Sequence, residues 1–140
     1  MLKPRPDRRQ LAVLESSLLA ELRVLRQRVP HLAGGLVASV NGVLLAQDTH
    51  DTDPEDLAAL TATALELAQR LADVTGQGAF RESLIRGEHG FIATFAAGPS
   101  CQLTLLSHPD VSLGRLQLEG RRSAQRLVEV LHGGAPAGPH

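Results

Sequence analysis

The segment from about Pro54 to Gly76 has the composition of a helix, and its apolar residues cover more of the circumference than one packing surface needs. At 100° per residue, Leu57, Leu60, Ala64, Ala68 and Leu71 share one side. Leu67 and Val74 extend that side one way, and Ala58, Ala62, Leu65 and Ala72 extend it the other. The arc spans on the order of 240°, where roughly 100° suffices for a helix lying on a core. Glu55, Thr63, Glu66, Gln69, Arg70 and Asp73 are confined to the remainder. At ~2 kcal/mol per exposed leucine, two or three left wet would forfeit about a third of a typical domain's stability. Scattered surface leucines are common, so a merely greasy helix is one reading. The preferred reading is a second burial partner, and hence a chain built to associate.

The chain has 140 residues, enough for one domain with a real core. A net charge of −1 provides no overall field to attract nucleic acid. Trp and Tyr are absent, and Phe80, Phe91 and Phe95 are the only aromatics, so base-stacking and cation-gripping faces are not expected. The single cysteine, Cys101, permits no internal disulfide and suits a reducing compartment. It reads as a small apolar residue at the start of a buried strand. No apolar stretch of signal-peptide type follows the charged MLKPRPDRRQ opening, and no window approaches a membrane span. The expected setting is the cytoplasm, without stable membrane insertion.

Residues 1–30 read as a basic, Pro-broken lead-in followed by an amphipathic helix from about Asp7 to Arg28. Its stripe is Leu11, Leu14, Leu18, Leu22, Leu25 and Val29, with arginines near the C-terminal end. Residues 31–132 form the main domain. Leu36–Val40 and Val43–Ala46 flank Asn41-Gly42, the signal for a tight hairpin with positive φ at both central positions. Asp53-Pro54 opens the wide-arc helix as N-cap and first residue. Strands follow at Phe80–Arg86, whose polar interleaving suits a sheet edge, at Phe91–Ala96 and at Cys101–Ser107. Pro109 and Asp110 are expected to break the sheet and cap a last helix with the stripe Leu113, Leu116, Gly120, Ala124, Leu127 and Leu131. Gly120 would let that helix approach its neighbour closely. Residues 133–140 are a Gly/Pro-rich tail expected to lack fixed structure. The order α-β-β-α-β-β-β-α predicts an α/β fold, a three-layer sandwich around a five-stranded, mainly antiparallel sheet.

Asp48, His50, Asp51 and Asp53 crowd six positions, but they lack the central Gly and closing Glu of a calcium loop and the usual spacing of zinc ligands. They read as a solvated helix-capping loop. His31, His89 and His108 sit in turns without a recognisable acid or nucleophile beside them, and no serine occupies a G-x-S-x-G setting. The glycines never form a phosphate-cradling G-x-x-x-x-G-K-[ST] loop. Arg121, Arg122 and Arg126 form a basic patch that reads as a solvated face. No catalytic, metal or cofactor site is expected.

Four stretches carry a family resemblance: Gly35–Ala46 (GLVASVNGVLLA), the Leu57–Leu71 helix, Glu88-His89-Gly90-Phe91, and Leu113–Arg122 (LGRLQLEGRR). Over roughly His31–Leu131 the chain resembles the Roadblock/dynein light-chain domain family. Its last helix is particularly similar to the bacterial gliding-motility branch, whose members partner a Ras-like polarity GTPase. The resemblance implies a non-catalytic homodimer, paired through the central helix and the adjacent edge strand. For this chain it implies an interface at Leu57, Ala58, Leu65, Ala68, Leu71 and Ala72 of the helix and at Phe80, Glu82 and Leu84 of the strand. It further implies binding of a small GTPase and stimulation of GTP hydrolysis by reshaping the switch regions, without an arginine finger. A ligand-sensing module of the PAS or GAF kind is the alternative, although such modules need a hollow lined with polar groups. A hydrolase using His50 or His89 has only composition behind it.

Overall fold

A computed structural model describes residues 7–132. The lead-in residues 1–6 and the tail 133–140 lie outside the described residues. The elements run α1 (Arg8–Arg28), β1 (Leu32–Ser39), β2 (Leu44–Asp48), α2 (Pro54–Val74), β3 (Glu82–Gly87), β4 (Gly90–Ala97), β5 (Cys101–Ser107) and α3 (Leu113–Leu131). The five strands form one sheet in the order β2-β1-β5-β4-β3, every pair antiparallel. The predicted element order and class are those observed.

α1 and α3 cover one face of the sheet, and α2 lies on the other. The main core sits beneath α1 and α3. There Leu18, Leu22 and Leu25 of α1 and Leu116, Ala124 and Leu127 of α3 meet Val37, Phe95, Leu103 and Leu105. A Cβ on Gly120 would overlap the Phe95 ring, so glycine is what lets α3 settle onto β4. Polar ties lock the two helices together: Glu21 Oε1 accepts from Ser123 Oγ at 2.9 Å and from Arg126 Nε at 2.8 Å. Arg126 is therefore a structural tie, not part of a solvated basic face.

Three local expectations need correction. The β1–β2 hairpin turns through three residues instead of two. Gly42 N donates to Ser39 O, Ser39 N donates to Val43 O, and only Gly42 (φ +88°) takes the left-handed conformation; Asn41 does not. That is the three-residue solution, with a left-handed residue closing the turn. β3 starts at Glu82, leaving Phe80 outside it, because Phe80 N donates to Gln69 Oε1 of α2 and not to a ladder partner. The cap of α3 is Ser112, whose hydroxyl accepts from Arg115 N, so Asp110 lies in the preceding turn. α1 and α2 begin as expected: Asp7 closes a capping box with Gln10, and Asp53 accepts from Glu55 N and Asp56 N.

Candidate interaction face

α2 is attached to its own sheet by few apolar contacts. The second core cluster holds only Leu36, Ala38 and Ala58, with Leu44 and Leu57 packed against it. Beside that cluster the sheet turns Thr94, Gln102 and Thr104 toward α2, and Thr94 Oγ1 lies 3.3 Å from Thr104 Oγ1. A polar seam of this kind is satisfied but adds little hydrophobic attraction.

The helix therefore has two apolar sides. Leu57, Ala58, Thr61, Leu65, Ala68 and Ala72 are buried or half-buried, and they share the half turned to the sheet. Leu60, Ala64, Leu67, Leu71 and Val74 occupy the adjoining outward stripe; Leu67 is 56 %, Leu71 69 % and Val74 85 % exposed. Together these halves make the wide arc, and nothing among the described residues covers the outward one.

A second uncovered surface lies beside it on the sheet. By register Ile85 stands next to Ile92, and Ile92 next to Leu106. The main core takes Ala93 and Leu105, so this row points to the α2 side. There Ile85 is 51 % exposed, and Ile92 and Leu106 are only half-buried. The row runs out to β3, an edge strand whose outer hydrogen-bonding groups have no neighbouring strand among the described residues. An apolar helix stripe, an apolar row and a free strand edge are together the chemistry of an association surface.

The residues assigned by resemblance are distributed over this geometry as follows. Ala58 is fully buried against its own sheet, while Leu57, Leu65, Ala68 and Ala72 are half-buried on the sheet-ward side. Leu71 belongs to the outward stripe. Leu65 and Phe80 meet across a cavity of about 470 Å³, together with Gln69 and Cys101. Glu82 and Leu84 lie on β3, on the face shared with α3. Ile85, Ile92 and Leu106 gave no signal in the chain, because apolar residues in a strand look alike whether covered or bare.

Other candidates resolve into structural roles. Asp48 accepts from Arg26 Nε at 2.8 Å, Asp53 caps α2, and Asp51 is exposed with φ +58°. His50 Nε2 is 4.0 Å from Asp48 Oδ1. Among the described residues, no group of three or more possible ligands could hold a metal ion. Arg121 clasps both oxygens of Glu82, and that hydrogen bond and charge raise its pKa above the usual guanidinium value. Partial burial pushes the Cys101 thiol up. No helix among the described residues is long and apolar enough to cross a membrane.

Comparison with known proteins places this geometry in a family. The chain is similar to Myxococcus xanthus MglB, at a TM-score of 0.78 and 19 % identity, over 84 % of this chain and 96 % of that one. It is similar to the gliding protein MglB of Thermus thermophilus, at a TM-score of 0.68 and 22 % identity, over 94 % and 95 %. The protein MJ1340 of Methanocaldococcus jannaschii is 29 % identical over 97 residues, 69 % of this chain and 84 % of that protein. The Roadblock/LC7 domain family matches residues 6–107, from α1 through β5, and the chain belongs to that family.

Proposed function

We propose that the chain is a non-catalytic homodimer that binds a bacterial Ras-like small GTPase in the cytoplasm, as regulator or scaffold, and stimulates its GTP hydrolysis. The observation that carries the dimer is the coincidence of the outward stripe of α2 with the bare row Ile85–Ile92–Leu106 beside the open edge of β3. A twofold axis at that edge pairs β3 with a second β3 antiparallel and presents the same apolar patch to itself. The two sheets then become one, and each patch buries the other. Of the assigned residues, Leu71 stays in this patch, and Leu84 stays on the paired β3 edge but points to the opposite face. Leu60, Leu67, Val74 and Ile85 join the patch, while Ala58 serves the fold of one copy.

The GTPase reading is supported by the likeness to MglB proteins, one of them a gliding protein. On this reading the dimer acts by holding the switch segments of the GTPase in a hydrolytic arrangement, and stimulation needs no arginine from this chain. The test is phosphate release by a Ras-like GTPase from the same genome, with and without the purified protein. A several-fold rise supports stimulation. Binding without a rise supports the scaffold form, and neither binding nor a rise with any such GTPase refutes the reading.

A further inference from the structure

Charge is segregated between the two sides of the molecule. α1 and α3 carry nine arginines against four glutamates, whereas residues 29–112 carry three arginines against ten acidic residues. The layer of α1 and α3 is thus formally +5, and the rest of the domain, including α2, is −7.

On the positive side the sheet is incompletely roofed. α1 packs over β1 and β2, and α3 over β4 and β5, so among the described residues no helix stands above β3 there. β3 turns Glu82, Leu84 and Arg86 to that side, since their register partners Phe95, Ala93 and Phe91 pack in or against the main core. Leu118 flanks the gap from α3 and is 45 % exposed. A cavity of about 450 Å³ lies between α3 and the outer strands, floored by Phe95 and walled by Leu118 and Val128, with Arg81, Arg121 and Arg122 among its lining.

Pairing β3 with a second β3 joins two such half-grooves into one trough walled by the two α3 helices. This step rests on the dimer proposed above. The walls then stand three to four strand spacings apart, about 14–19 Å. A helix packing against a helix on each side needs about 16–20 Å between them. One helix fits, and two do not. Each wall offers Leu118 below and Arg121 and Arg122 beside it, while Arg86 lies at the strand edge. Among the described residues, only Arg121 and Arg122 of these arginines approach a carboxylate: Arg121 meets Glu82 at 2.6 Å, and Arg122 lies 3.6 Å from Glu119.

We infer that this trough binds a single amphipathic helix of a partner protein, apolar toward Leu84 and Leu118 and acidic along both flanks, one helix per dimer. The positive layer attracts the acidic flanks, and the apolar floor supplies the buried contact.

The probe is a fluorescein-labelled synthetic helix of about 15 residues, ~22 Å long, with leucines on one face and glutamates on both flanks. Its control carries lysines in place of the glutamates. Anisotropy titrations use protein shown to be dimeric by sedimentation at the same concentration. The glutamate peptide should saturate at one per two chains, bind about ten-fold or more tighter than the lysine peptide, and weaken as salt rises. The exposed substitutions Arg121→Glu with Arg122→Glu, and separately Leu118→Glu, should each weaken it about ten-fold while sedimentation and circular dichroism stay unchanged. A dimer that ignores the glutamate peptide, binds it once per chain, or binds both peptides alike overturns the inference. So does binding to phosphatidylserine vesicles without binding to the peptide, which would assign the positive side to a lipid surface. A monomer in sedimentation refutes the pairing itself, and that failure is read independently of any peptide.

Discussion

Gly120 shows how one atom sets the position of an element. With no Cβ it lets α3 rest on the Phe95 ring, and any side chain there drives the helix away from β4. Gly120→Ala should destabilise the domain by about 1–3 kcal/mol through overpacking, despite the better helix propensity of alanine. Pairing it with Phe95→Leu should recover part of the loss, a non-additivity that chemical denaturation of the four variants measures. Cys101 supplies a test by pH. Burial favours the neutral thiol and raises its pKa in the folded chain, so its contribution to stability is complete below the ordinary thiol range, near 9.0. That contribution is lost as pH climbs through the raised value. The thiol should react with a disulfide reagent at pH 7 well below the rate of the unfolded chain, and Cys101→Ala should flatten the alkaline fall in stability.

At the scale of elements, the chain announces its helices plainly, and the caps of α1 and α2 with them, though not the Ser112 cap of α3. Asp53-Pro54 and the leucine stripe of α1 state where backbone donors and apolar faces must go, and the structure follows them. The wide arc of α2 was legible as well. Which half of it faces the sheet was not, because that depends on Leu36, Ala38 and the hairpin at Gly42, and these come together only when the fold closes. Leu65, Ala68 and Ala72 therefore looked equivalent to Leu60, Leu67 and Leu71, although the first three lean inward. The bare row Ile85–Ile92–Leu106 was invisible for a related reason: strand alternation gives two faces without saying which one lacks a cover. α2 carries its own prediction. Leu67→Glu with Leu71→Glu changes only exposed positions of one copy, so helix content should persist while the sedimenting mass falls to 14.9 kDa. Ala58→Glu should instead cost the fold itself, by burying a charge against Leu36.

For the whole molecule, the proposed pairing makes stability and association one quantity. The sheet offers α2 a small apolar cluster and a polar seam, so much of the hydrocarbon on that side is exposed in a single copy, and the proposed pairing would hide it. Thermal unfolding should shift upward as protein concentration is raised, by several degrees over a hundred-fold range, and the shift should vanish in the double glutamate variant. Charge segregation would add a direction to the proposed assembly, since its twofold would place both arginine-rich layers on one side and both acidic α2 helices on the other. The order of manufacture matters too. Leu18, Leu22 and Leu25 are made early, yet the strand that flanks β1 and the helix that clamps Glu21 are the last parts of the domain to leave the ribosome. At about 5–20 residues per second, α1 waits several seconds with only β1 and β2 available to cover its leucines. The core beneath α1 is therefore completed only once β5 and α3 have emerged, and a nascent chain without them presents half-covered leucines to its surroundings.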